Sequence, residues 1–175
     1  MIKLASLRRI IVLSSGLFFS CLGYCHTQLV PCQTHGQWRE CAAVDMESKE
    51  HDEEQKQFLK PVPGFAKIYL FRSGMVSQRS KTNVFLDASE IAALAPNTYL
   101  VISLRPGRHL LLAQTLDSAE LTLNVEDGKA YFIHLDLEMF FWKNIEHLRL
   151  TDELDARAKM EKTSLVKLMP TATAP

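Results

Sequence analysis

Thr98-Tyr99-Leu100-Val101-Ile102-Ser103-Leu104, then Arg105-Pro106-Gly107-Arg108, then His109-Leu110-Leu111-Leu112-Ala113-Gln114 is the stretch that decides how this chain folds. Both flanks are short, aliphatic and rich in residues that suit a pleated surface, so they read as core strands. Between them Pro106-Gly107 forms a tight turn, because proline presets φ and glycine takes conformations that other residues resist. Pro106, Gly107 and His109 are therefore expected to be structural. The His109 ring is expected to bond to loop backbone, since a buried imidazole without a partner is costly.

The period of two continues on both sides. Upstream, Ala66-Lys67-Ile68-Tyr69-Leu70-Phe71-Arg72 reads as a strand, followed by a polar loop from Ser73 to Asn83 and a short strand, Val84-Phe85-Leu86-Asp87. Asp87-Ala88-Ser89 suits a turn into Glu90 to Leu94, which fits either a strand or a helical turn. Downstream, Leu121, Leu123 and Val125 alternate with polar residues, and Asp127-Gly128 is a hairpin signal. Tyr131, Ile133, Leu135 and Leu137 then face one way while His134, Asp136 and Glu138 face the other. Phe140-Phe141-Trp142 makes a corner before a last strand, Ile145 to Leu150. This predicts a mainly β fold: an antiparallel β-sandwich of seven to eight short strands around one interior, over residues 61–161. A C-terminal helix follows, capped by Thr151, with Leu154, Ala158 and Leu165 on its thin apolar side; residues 162–175 read as a flexible tail.

The chain has 175 residues, 20 basic against 20 acidic, and 47% hydrophobic residues, enough for one domain with a leader. Zero net charge removes the electrostatic footprint of a nucleic-acid binder. Residues 1–25 have the layout of a signal peptide: Lys3, Arg8 and Arg9, then an apolar run from Ile10 to Leu22, too short to span a bilayer comfortably. Cleavage is expected either near Cys25 or, through the lipobox-like Phe18-Phe19-Ser20-Cys21, before an acylated Cys21. Either route places the protein in the periplasm or on a membrane through a lipid anchor, and loss of the leader leaves 17 basic against 20 acidic residues. Cys32 and Cys41 are candidates for a disulfide in such a compartment, with Cys32, His35 and Cys41 as a weaker three-ligand metal alternative. Residues 26–60 read as a polar spacer, because the charged run Asp45 to Lys56 lacks an apolar stripe.

Pro63-Gly64-Phe65-Ala66-Lys67-Ile68-Tyr69-Leu70-Phe71-Arg72, Leu104-Arg105-Pro106-Gly107-Arg108-His109, Gly128-Lys129-Ala130-Tyr131-Phe132-Ile133 and Leu148-Arg149-Leu150-Thr151-Asp152-Glu153 follow one another in order. In this succession the chain resembles the family known as domain of unknown function 2846, over about Pro61 to Glu161. The resemblance implies a small bacterial envelope protein, often a lipoprotein. The family carries no established activity, so the resemblance supplies no catalytic residues and no cofactor.

The residues themselves offer little catalysis. No metal-binding histidine pair, phosphate loop or nucleophile elbow occurs, and Ser73-Gly74 lacks a hydrolase context. Arg72, Arg79 and Lys81 read as a solvated basic loop. The expected function is a non-enzymatic exported envelope protein that is structural or binds a partner, with Phe140, Phe141 and Trp142 as the contact residues. An envelope protein, a glycan or a lipid surface would suit that corner. The alternative is a small periplasmic hydrolase or metal-dependent protein using His134, Asp136 and Glu138.

Overall fold

The computed structural model describes residues 29–34, 36–141 and 143–170. The leader, Cys21, His35 and Trp142 lie outside the described residues. The protein is mainly β with a C-terminal helix, but it is not a single sandwich of seven or eight strands. Among the described residues eleven strands form three sheets.

The strands are β1 (Leu29–Thr34), β2 (Gln37–Ala42), β3 (Ala66–Arg72), β4 (Thr82–Leu86), β5 (Ser89–Leu94), β6 (Thr98–Leu104), β7 (Gly107–Gln114), β8 (Ser118–Val125), β9 (Ala130–Phe140), β10 (Lys143–Thr151) and β11 (Ser164–Leu165). Two helices, α1 (Lys49–Gln55) and α2 (Glu153–Met160), complete the fold. One sheet runs β5-β4-β7-β8 and is antiparallel throughout. The other runs β10-β9-β3-β6-β11 and is mixed, since β3 lies parallel to β9 and β11 parallel to β6. The purely antiparallel expectation fails here because β3 and β9 pair in parallel, which the long connection between them permits. The whole four-stranded sheet is laid down within the connection from β3 to β9.

Alternation in β3 explains the layering. Ala66, Ile68 and Leu70 face the four-stranded sheet and join Leu100, Leu111, Leu123 and Ile133 in one cluster. Tyr69 and Phe71 face the opposite way, into a second cluster with Tyr99, Phe132, Ala156 and Met160. The central sheet is thus covered on both faces, by a sheet on one and α2 on the other. Stacking of Tyr69 on Phe132, with ring centroids 5.0 Å apart, marks the second core. Burial pushes the Tyr69 hydroxyl up to about 12, since the phenolate would lose its water.

Two turns with hairpin signals join different sheets. Pro106-Gly107 carries the chain from β6 to β7, and Asp127-Gly128 from β8 to β9. A turn specifies that the chain reverses, not which strand it will pair with. Glu90 to Leu94, open between strand and helix in the sequence, belongs to β5.

The ends are more structured than their composition indicated. Within the segment read as a spacer, β1 and β2 pair as a hairpin, and Ser48 caps α1 by accepting from the His51 amide. No residue of α1 is buried, as its charged run implied, and polar bonds hold it instead. Asp52 accepts from the Leu165 amide at 2.9 Å and from Lys56 at 2.8 Å, while the Tyr99 hydroxyl donates to its carbonyl at 3.1 Å. The expected flexible tail begins with β11, and Val166 is buried. In α2 the cap is Asp152 rather than Thr151, and the buried positions are Ala156 and Met160, with Leu154 exposed.

Arg72, expected in a solvated loop, is 2% exposed. It follows Ala66, Ile68 and Leu70 on the inward face, so the pleat carries it between the sheets. Its guanidinium donates to the carbonyls of Val76, Ser77, Ser80 and Leu94 at 2.8 to 3.3 Å. Burial lowers its pKa to about 10, a value at which it remains charged at neutral pH. Arg72→Met is expected to cost about 3 kcal/mol or more by urea denaturation, because it strands buried carbonyls. Arg72→Lys should recover only part of that, since one ammonium cannot span a fork of donors.

Candidate binding surface

β9 outruns the sheet that supports it. Phe132 to His134 pair with both β3 and β10, whereas Leu135 to Phe140 pair with β10 alone. Leu135 and Leu137 still point into the core, but beyond them the hairpin projects as a two-stranded arm with Met139, Phe140 and Phe141 exposed at 66%, 62% and 77%. Phe140 pairs with Lys143, so Phe141 lies in the short turn between β9 and β10. Such turns favour Asn-Gly because they require positive φ. Phe141 sits at φ 54, a conformation uncommon for a bulky side chain. Its ring meets Phe140 edge-on, with centroids 4.8 Å apart. A bulky aromatic pair therefore occupies a corner where small polar residues would be less strained.

A cavity of about 760 Å³ opens at the base of the arm, between Met139, Met75, Gln78 and Arg79 of the loop after β3, and Arg39 and Glu40 of β2. Arg72 shapes that loop from below through the Val76, Ser77 and Ser80 carbonyls. The loop in turn docks the β1-β2 hairpin: Gln78 accepts from the Ala42 amide at 2.7 Å, and Arg79 pairs with Glu40. Within the hairpin, Cys32 and Cys41 lie at disulfide distance, with Cα atoms 5.9 Å apart. Trp38, on the same strand as Arg39, is 73% exposed.

The His134, Asp136 and Glu138 side chains share a strand face but not a task. Arg149 of β10 reaches both carboxylates, at 3.7 Å to Asp136 and 3.1 Å to Glu138. His134 stacks on Phe71 and bonds the Ser73 hydroxyl at 2.9 Å. Burial, aided by the charge of Lys159, lowers its pKa and favours the neutral ring. The Ser73–His134 contact supplies two parts of a nucleophile-and-base arrangement. No carboxylate hydrogen-bonds the other ring nitrogen among the described residues. Cavities of about 800 and 300 Å³ elsewhere, and the one beneath the arm, are lined by none of these side chains. Among the described residues no three His, Cys, Asp or Glu side chains are grouped to hold a metal ion.

Sequence reasoning missed two charged residues between the sheets, Arg72 and Glu146. Glu146 is 4% exposed, and burial raises its pKa against the pull of Thr115 and Arg72. Alternation in β10 could have found it, because Glu146 shares its face with Leu148.

His109 does bond loop backbone, and more. Its Nε2 lies 3.0 Å from the Arg105 carbonyl and its Nδ1 2.7 Å from the Asp87 carboxylate. Both partners only accept, so both ring nitrogens must donate and the ring is cationic. Gly107, at φ 151, lets the chain turn back over this ring. Asp87, in the β4-β5 turn, also accepts from the Leu110 amide at 2.9 Å. Burial opposes the charge on His109, but the Asp87 and Arg105 bonds outweigh it and raise its pKa. Burial likewise works against the Asp87 carboxylate, which the His109 and Leu110 bonds nevertheless hold below its usual range. The His109 contribution is complete below its unfolded pKa of 6.5 and is lost as pH rises through the higher native value. The Asp87 contribution is complete above 3.8 and is lost as pH falls through the lower native value. Urea titrations should find wild type more stable than His109→Gln by up to about 1 kcal/mol near pH 5.5, with the gap closing on the alkaline side.

The comparisons with known proteins assign the chain no activity. An uncharacterized protein of Haemophilus influenzae is 29% identical over 94 residues, which is 53% of this chain and 56% of that relative. The chain thus spans about half the length of the curated relative it matches. No solved structure matches. Residues 63–146, from the entry into β3 to the middle of β10, match the family model described as a protein of unknown function (DUF2846), and over that span the chain is similar to this family.

Proposed function

We propose that this chain is an exported, non-enzymatic envelope protein that works by binding, with the end of the β9-β10 arm as its contact surface. The exposed Met139, Phe140 and Phe141 side chains carry the reading. Large aromatics are the residues that folding buries most profitably, and a corner built of them in a strained turn suits contact with something outside the chain. The leader-like residues 1–25 and the Cys32–Cys41 pair support export, because disulfides persist in oxidising compartments. Cleavage near Cys25 would release a periplasmic protein; acylation of Cys21 would tether it to the membrane.

A hydrolase reading draws on the Ser73–His134 contact, but Asp136 and Glu138 are engaged by Arg149 rather than by His134. The binding reading therefore accounts for more of the surface.

Two measurements test it. Intact mass of the full chain expressed in a bacterium should show loss of the leader, with added acyl mass if Cys21 is the new terminus. A photoreactive phenylalanine analogue at Phe140 should give discrete cross-links to envelope material in intact cells, whereas the same analogue at the exposed Leu154 should not. Retention of Met1 in a cytosolic protein, or equal cross-linking from both positions, would overturn the proposal.

A further inference from the structure

We infer that the contact partner of the arm is the lipid surface itself, with Phe140 and Phe141 seated at the headgroup boundary and Arg39 facing the lipid phosphates. The inference rests on the reading of the arm as a contact surface and names what it contacts. Three observations support it.

The first is chemical. Met139, Phe140 and Phe141 are exposed on the arm, Trp38 is exposed on β2, and Arg39 lines the cavity beside Met139, where among the described residues its guanidinium bonds the neutral Gln37 side chain. Aromatic rings with a neighbouring cation are the composition that settles at a membrane–water boundary. The second is area. Three corner side chains of roughly 200 Å² each, already partly covered, fall short of the roughly 800 Å² per partner that stable protein interfaces bury. Insertion into a fluid boundary needs no matching surface. The third is the entry point of the chain. Leu29 opens β1 opposite Ala42, which is bonded to the loop that lines the cavity beneath the arm. Cys21 stands eight residues before Leu29, a reach of at most about 28 Å when extended. An acyl anchor there would attach to the chain at the side of the molecule where Leu29 enters β1.

The chain has two tryptophans, Trp38 in β2 next to Arg39 and Trp142, which follows Phe141 in the sequence. Native fluorescence therefore reads the contact. The full chain is mixed with vesicles of phosphatidylcholine and phosphatidylglycerol whose acyl chains carry bromine, a contact quencher of indole. The expected result is quenching with a blue shift, most of it lost in the Phe140→Ser/Phe141→Ser variant. Arg39→Gln should reduce the quenching more in vesicles containing phosphatidylglycerol than in phosphatidylcholine alone. An unchanged urea midpoint for the double variant shows that its fold is intact. Absent quenching in wild type, or equal quenching in the variant, overturns the lipid assignment. If Phe140 cross-links instead trap a protein or glycan, the contact-surface reading stands and only its lipid partner is wrong.

Discussion

A guanidinium with almost no access to water sits between the two main sheets, and much of the molecule's shape follows from satisfying it. Arg72 must place its donors on acceptors, because an unpartnered buried cation would cost several kcal/mol. The acceptors are backbone carbonyls of the loop that follows β3 and of Leu94 at the end of β5. A stretch without regular structure is thereby pinned to the core. The same loop holds the β1-β2 hairpin through Gln78 and Arg79, and forms one wall of the cavity beneath the arm. A buried charge thus positions an exposed surface.

The second organising constraint is that the central sheet is buried on both faces. One face meets the four-stranded sheet through aliphatic side chains; the other meets α2 and Phe58 through rings. The ring cluster is closed by a cation, with the Arg157 guanidinium 4.4 Å from the centroid of Phe58. Helix α1 adds no apolar area and is held by Asp52, whose carboxylate and carbonyl tie it to β11, Lys56 and Tyr99. Residues outside the family-matched span, at both ends of the chain, therefore complete the cover of the domain.

The arm departs from this economy. Most large apolar side chains of β3, β6 and β9 are gathered under a sheet or a helix, whereas Met139, Phe140 and Phe141 extend past the last strand that could cover them. Their exposure follows from strand length: β9 has eleven residues and β3 only seven, so the final pairs of the β9-β10 ladder have no neighbour. On the His134, Asp136 and Glu138 face each member is engaged by a serine, an arginine or a ring.

The strands were legible because alternation is local: Ala66 to Arg72, Thr98 to Leu104, His109 to Gln114 and Tyr131 to Leu137 each carry their own two-residue signal, and Pro106-Gly107 and Asp127-Gly128 mark where the chain reverses. The aromatic corner and the Cys32–Cys41 pairing were legible for the same reason, since both depend on neighbours in sequence. Strand partnership was not. The parallel pairing of β3 with β9 joins segments some sixty residues apart, and no feature of either strand names the other. Nor could composition place Arg72 in the interior or Leu154 outside it. Burial there depends on which face of a strand or helix finds another layer to cover it, and the layers come together only in three dimensions.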